Sequence, residues 1–439
     1  MLRLSKEQSM ATHPRNPYRS PVFITLVAFA FRLGVMVYKH TYEFSPSQDY
    51  FSFGYEMGRV ARSIVSGQGF SSPFQGSTGP TAFVPPLYPY LIAGVFKVFG
   101  IYTATSALVL MSLDCLFSAL TCLTVFLIGQ RTSATSVGLW SAWIWAFLPS
   151  AAFWSRSTDR VWETSLSTFL FSCVFLLMLS LEGSSRSRDW LGFGLLWGLA
   201  GLTNPALLAF LPFSLGWLWY QWRRRGTRCE RLIALATSAF IFSVAPWLVR
   251  NYLVFGRPVF IRDGLGLQLF LGNHDGLTDR PWEVLPGVNG TEMQEYRRLG
   301  ELAYMADKRH KALVFIHNHP GAFTWLTITR SANFWLNPRA LVYGYSQEGA
   351  FGLVRAASYP LLSILAFLGL LFAALKRNPW APLFVATLLS FSGIYCITFV
   401  SPRYRRPIEP HMCCLSAYAL MDIRQWRRCA RPLESQRPP

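Results

Sequence analysis

Residues 104–128 read ATSALVLMSLDCLFSALTCLTVFLI, twenty-five residues with one charged side chain, Asp114. At about 1.5 Å of rise per residue such a helix is about 37 Å long, more than the roughly 30 Å hydrocarbon core of a bilayer. This run is one of ten. The others lie near 21–40, 136–154, 160–181, 189–203, 205–221, 232–250, 351–375, 380–400 and 407–422. The runs at 189–203 and 205–221 are short and joined by Thr203-Asn204-Pro205, so they form either a helical hairpin or one broken segment, which would make nine spans.

Composition agrees. Of 439 residues, 52% are hydrophobic, 16% aromatic and only 14% charged. A usual soluble domain carries about 25% charge. With so little charge a water-facing surface cannot be covered, which excludes an ordinary soluble enzyme, a coiled coil and a disordered chain. Lys and Arg number 41 against 22 Asp and Glu, a net charge of +19. The basic residues fall in short clusters between apolar runs, a pattern that suits a membrane surface or a phosphate-bearing ligand and not nucleic acid. The eight Cys show no CxxC spacing, so they read as small buried hydrophobes, not as a disulfide framework or zinc site.

Lys and Arg in short loops orient the chain. With the N-terminus inside, Arg19, Arg131, Arg186, Arg188, Arg223-Arg224-Arg225 and Lys376-Arg377 are all cytoplasmic, as is a basic tail, 423–439. Both termini are then inside, and two long segments, about 41–103 and 251–350, are outside. The expected fold is an all-α polytopic membrane protein. It has about ten spans in one domain, 1–422, with two interfacial helices in the first outer loop and a partly helical second one. The interfacial helices begin near Ser45 and at Leu87; in the second loop Tyr296, Leu299, Ala303, Ala306 and Leu313 recur at helical spacing.

Chemistry-bearing residues gather on the outer side. Asp49 falls in the first turn of the expected helix, where the dipole favours a carboxylate, and Glu56 lies two turns up the same face. An Asp in a first turn is more often a cap than a catalyst. Arg59 and Arg62 take the flank opposite an apolar stripe, which suits a helix lying on the membrane surface. Asp159 and Glu163, four apart at the outer end of the 160–181 run, share a helix face between Arg156 and Arg160. Glu163 lies deeper in the apolar run, where a carboxylate is costly without a partner or role. Arg250 closes the 232–250 run, and Arg403, Arg405 and Arg406 stand between the last two runs. A guanidinium fork matches phosphate oxygens, and the charge rule does not call for arginines on this side. His317, His319 and His411, expected at the outer surface, have no metal-ligand spacing. Asn289-Gly290-Thr291 is a formal glycosylation sequon, and Gly264-x-Gly266 is too short for a nucleotide loop.

Several segments together resemble the GT-C glycosyltransferases, in the branch of protein O-mannosyltransferases and the aminoarabinose transferase of lipid A (glycosyltransferase family 39-like). They are Gln48-Asp49-Tyr50, Ser66-Gly67-Gln68-Gly69-Phe70, Pro85-Pro86-Leu87-Tyr88-Pro89, Ala245-Pro246-Trp247-Leu248-Val249-Arg250-Asn251-Tyr252, Leu271-Gly272-Asn273 and Ser401-Pro402-Arg403-Tyr404-Arg405-Arg406-Pro407. The resemblance implies an inverting hexosyl- or pentosyltransferase that takes one sugar from a polyprenyl-phosphate donor at the outer face. Its acceptor is a lipid, glycan or protein. Asp49 matches the family's catalytic acid; Asp159 or Glu163 matches the second, with Glu163 favoured. Arg250, Arg403, Arg405 and Arg406 are placed as donor-phosphate ligands. No cofactor is assigned, a divalent metal being the one candidate. Gln48 stands where many members have a second adjacent acid. A bacterial plasma membrane is the expected location. The competing classes are a lipid or solute transporter or flippase, which would put its polar residues at the midplane, and a non-catalytic subunit of a polysaccharide assembly system.

Overall fold

The computed structural model describes residues 17–43, 53–149, 161–277 and 281–430, with the side chains of 339–349, 351 and 426–430 left aside. Asp49, Arg156, Asp159 and Arg160 lie outside the described residues.

Among the described residues there are sixteen α-helices and no strand beyond a single bridge, Ser71 to Pro80. They are α1 Pro21–Tyr38, α2 Glu56–Val65, α3 Leu87–Phe99, α4 Ala104–Thr132, α5 Thr135–Phe147, α6 Thr164–Leu181, α7 Ser187–Thr203 and α8 Leu211–Arg224. The rest are α9 Glu230–Phe255, α10 Leu265–Gly272, α11 Gly290–Leu299, α12 Glu301–Asn318, α13 Pro320–Trp335, α14 Pro338–Leu375, α15 Ala381–Ile397 and α16 Glu409–Ala430.

Five are long and apolar enough to cross a membrane: α1, α4, α6, α9 and residues 352–375 of α14. The remaining expected spans are helices too, but α5, α7, α8 and α15 have only 13 to 17 residues. At about 1.5 Å per residue even the longest of these is about 26 Å, short of the hydrocarbon core. The last, α16, is long enough but carries Asp422 and Arg424. The run at 189–221 resolves as a hairpin. Asn204 ends α7 and accepts from Ala206 N, a 3-10 turn covers Pro205–Phe210, and α8 returns so that Trp222 meets Trp190, ring to ring at 6.1 Å. Large apolar side chains such as Phe242, Val249 and Leu253 of α9 face outward, as lipid contact requires.

The bundle packs α4 on α1, α5 and α6, α9 on α7, and α16 on α14. Glycines set a close crossing: a Cβ on Gly194 or Gly198 of α7 would collide with Ala236 O or Ser243 of α9, a small-xxx-small contact that brings two backbones together. Arg32, fully buried in α1, is satisfied by Ser118 Oγ at 2.9 Å and by the carbonyls of Ala28, Trp145 and Ala146, so it ties α1 to α4 and to the end of α5.

Alternation of the helices sorts the loops to two ends. At one end Arg131 bonds Ser180, Arg225 bonds Glu182 and Lys376 bonds Asp422. At the other lie both long segments, and the second packs over the first. Glu301 accepts from Thr81 Oγ1 and Ala82 N at 2.5 Å each and from Tyr296 OH at 2.8 Å, Asp263 N donates to Ala82 O at 2.9 Å, and Arg297 reaches Gln75 O. The expected helix across 292–316 is two helices, α11 and α12, broken at Gly300 with φ 76°.

Candidate active site

The helix of Glu56 starts at Glu56 itself. Gly54 and Tyr55 before it are in the left-handed region, φ 73° and 54°. This corrects the expected continuous helix through Glu56: left-handed residues cannot continue a right-handed helix, so this one begins at Glu56. Nor does α2 lie flat on a membrane surface. Glu56, Met57, Arg59, Val60, Ala61 and Ser63 are all buried, Arg59 to 1% exposure, so the expected polar flank is wedged into the protein.

The helix packs on α3, and the residues just before it meet the segment before α6. A Cβ on Gly54 would fall within the van der Waals radius of Val161 O, and the Tyr55 and Trp162 rings lie 5.3 Å apart. Glu163 follows directly. On its other side Arg403, from the 3-10 turn Pro402–Ile408 that packs on α6, stacks its guanidinium over Trp162 at 3.7 Å. Glu56 and Glu163 both feel the charge of Arg403 and of Arg262, and Glu56 that of Arg59 as well. Burial pushes the Glu56 carboxyl above the usual carboxylate range. Its own backbone N–H and then the three arginines pull it back. Glu163 Oε2 is shielded from solvent and has no hydrogen-bond partner among the described residues.

Beneath these groups, Tyr88 OH donates to Asp114 at 3.2 Å, and Asp114 lies within electrostatic reach of Arg406 and Glu163. The lone charge of the 104–128 run is therefore part of this cluster. Groups from α2, the turn before α6, α4, the loop before α10 and the turn before α16 thus converge.

The other two candidate arginines do not join them. Arg405 is fully buried. It pairs with Glu409 at 3.0 Å, donates to Trp335 O, Tyr359 O and Ser363 Oγ, and stacks on Tyr359. Arg250 donates to Thr81 O and Phe70 O at 2.8 Å each and lies over Trp247 at 4.8 Å. Both guanidiniums hold backbone in place. The Leu271-Gly272-Asn273 motif has a similar explanation: Arg330 of α13 donates to Gly272 O and Asn273 Oδ1 and to the carbonyls ending α15.

His411 is not at a surface. It is buried in α16 between Phe171 and Phe175. Asn289 caps α11 by accepting from Thr291 N and Glu292 N. Among the described residues no three His, Cys, Asp or Glu side chains gather as a metal site, and the acids present face arginines, which compete with a cation. Arg262 and Tyr88 escaped sequence reasoning as site residues. Tyr88 sat in a quoted motif, whereas Arg262 carries no spacing signal.

Comparison with known proteins bears on the fold and on one stretch of the chain. Residues 84–249, from just before α3 to near the end of α9, match the family profile described as dolichyl-phosphate-mannose-protein mannosyltransferase. None of the curated proteins compared matches the chain. Among solved structures it is similar to the oligosaccharyltransferase AglB of Archaeoglobus fulgidus. In complex with an inhibitory peptide and a dolichol-phosphate, that protein aligns with TM-score 0.54 and 13% identity over 95% of this chain and 52% of its own. Its apo form gives 0.54 and 14% over 94% and 52%, and its complex with Zn and sulfate 0.52 and 13% over 92% and 50%. At such identity the likeness is one of fold, and this chain spans about half the length of those structures. The profile covers well under half of the chain, so both findings are likenesses: of one stretch to that mannosyltransferase family, and of the whole to the fold of an oligosaccharyltransferase.

Proposed function

We propose that this chain, of the GT-C glycosyltransferase type, moves one sugar from a polyprenyl-phosphate donor to an acceptor at the outer face of a plasma membrane, inverting the anomeric centre. The observation that carries the reading is the convergence of Glu56 and Glu163 with Arg403 and Arg262 at one end of an apolar bundle. A donor anchored in lipid presents its phosphate at that depth, and a transporter would place such groups at the midplane.

In this reading Asp49 is the base. The acceptor's oxygen attacks C1 of the sugar, its proton passes to the Asp49 carboxylate, and the bond from C1 to the phosphate oxygen breaks with its electron pair leaving on polyprenyl phosphate. Arg403 and Arg406 hold that phosphate as its charge grows. Glu163, with Glu56 beside it and Asp159 as the alternative second acid, faces the acceptor. Arg250 and Arg405 act as struts.

The test is Asp49→Asn with a polyprenyl-phosphate sugar as donor. Removing a general base costs about 10²–10⁴ in rate, while donor binding should change little. A near-wild-type rate would sink the assignment of Asp49 as the base and return that role to Glu56 or Glu163.

A further inference from the structure

Helix α13 ends deeper than a helix of a water-facing loop should. Its last two carbonyls are met by side chains of other elements. Tyr359 OH donates to Phe334 O at 3.0 Å, and Trp335 O accepts from Ser363 Oγ and, at 3.1 Å, from Arg405. The Trp335 ring meets Phe367 edge to face, with centroids 5.0 Å apart. Tyr359, Ser363 and Phe367 all belong to the apolar stretch 352–375 of α14. At about 1.5 Å per residue, Ser363 stands about 20 Å and Phe367 about 14 Å from Lys376, where that stretch ends. Both heights fall inside a hydrocarbon core of about 30 Å, and any tilt of α14 only lowers them. A second neighbour gives the same depth. Arg330 donates to Cys396 O at 3.2 Å and to Ile397 O at 2.9 Å, and Ile397 is about 24 Å from the start of α15 at Ala381.

The outward face of α13 suits that depth. Trp325 and Ile328 are 68% and 56% exposed, and Ala332 and Leu336 are exposed with them, recurring at three and four along one side. The helix carries a single charged side chain, Arg330, which is buried on the opposite side with Phe334. Thr324, Thr327 and Ser331 return their hydroxyls to carbonyls one turn back, at 2.8–2.9 Å. We propose that α13 is a re-entrant helix, its Trp325–Leu336 face lying against the chains of membrane lipid, so that the second long segment is seated in one leaflet. The face continues the lipid-facing surface of its neighbours, since Phe367 beside Trp335 and Ile397 beside Arg330 are themselves exposed. Lipid offers a helix end no water, so its last carbonyls must be met by protein, which is what Tyr359, Ser363 and Arg405 do. Trp325, about 15 Å up the helix from Trp335, reaches the level of the head groups, where an indole is favoured. Asn337, in the left-handed region at φ 44°, then turns the chain.

Nitroxide labels on Ile328→Cys and Ala332→Cys, each in the full chain in phosphatidylcholine nanodiscs, test this by power saturation against oxygen and against a water-soluble nickel chelate. Both positions are exposed, so the fold should tolerate the label, and thermal unfolding of each labelled chain checks that it does. Should one unfold early, Trp325→Cys reports the same face. The signal of the parent chain treated alike is subtracted for its own eight cysteines. Leu371→Cys in α14 gives the lipid reference and His317→Cys the water reference, both at exposed positions. The labels at 328 and 332 should match the one at 371, open to oxygen and with the nickel accessibility of 317 lost. Nickel accessibility equal to that at 317 would put α13 in water and overturn the proposal. Protection from both reagents would mean that protein, such as a second copy of this chain, covers the face, and would overturn it equally.

Discussion

Replacing Arg250 with Ala separates a strut from a ligand. Its guanidinium holds two backbone carbonyls of the first long segment, Phe70 O and Thr81 O, from the end of α9. Each is a charge-assisted bond, worth about 1.5 kcal/mol at the low end that suits a half-buried group. The contacts with Trp247 and Phe70 add about 0.5 kcal/mol each. Phe70 O keeps Thr81 N at 3.2 Å, whereas Thr81 O loses the arginine. The sum is about 3–4 kcal/mol. At about 1–2 °C per kcal/mol for a chain of this length, the ligand-free protein should melt roughly 3–8 °C lower. Arg250→Lys should recover at most half of that, because an ammonium is a point charge and cannot serve two carbonyls as a fork does. The assay is thermal unfolding in detergent, paired with decaprenyl phosphate binding on the same sample. A melting temperature within 1 °C of wild type together with lost binding would refute the strut and make Arg250 a phosphate ligand.

Gly54→Ala should be damaging out of proportion to one methyl group, since φ 73° and the contact with Val161 O both exclude a Cβ; a loss above about 2 kcal/mol is expected, and normal stability and activity would show that the two segments need not touch. Asp263 is held up at about 7, mainly by burial and then by Glu301, against Arg309, Arg257 and Arg262. The folded state thus keeps a proton that the unfolded chain releases near pH ~4, so the stability this group contributes is present below pH ~4 and lost as pH rises to 7. Asp263→Asn should flatten that slope by about 1–2 kcal/mol after solvent screening; identical pH–stability curves for the two proteins would exclude it. For topology, a Cys introduced at Gly287 should be labelled from the outer face and one at Gly226 should not; the reverse pattern would move acids and arginines to the other compartment.

Much of the architecture was legible because membrane insertion is dictated by local composition. A run such as 104–128 must be a helix wherever it goes, since lipid offers its backbone no other hydrogen-bond partner, and ten such runs with basic loops on one side specify a polytopic bundle. That Glu163 needed a reason to exist was legible for the same cause, the cost of a carboxylate in an apolar run. Three things were not. The break at Gly54 and Tyr55, which makes the helix begin at Glu56, exists because the chain there closes against Val161, a contact 107 residues distant in sequence. The division of the arginines, with Arg250 and Arg405 bonded internally and Arg403 stacked on Trp162, depends on which carbonyls and rings the packing brings within reach; Arg403 and Arg405, two residues apart, have identical chemistry and opposite surroundings. Arg262 had no signal at all, because its contacts with Phe83 and Gly264 exist only in the folded chain. Solvation acts on each residue where it stands and can be read along the chain. Electrostatic partnership falls off over a few ångströms in space, and spacing along the chain does not encode it.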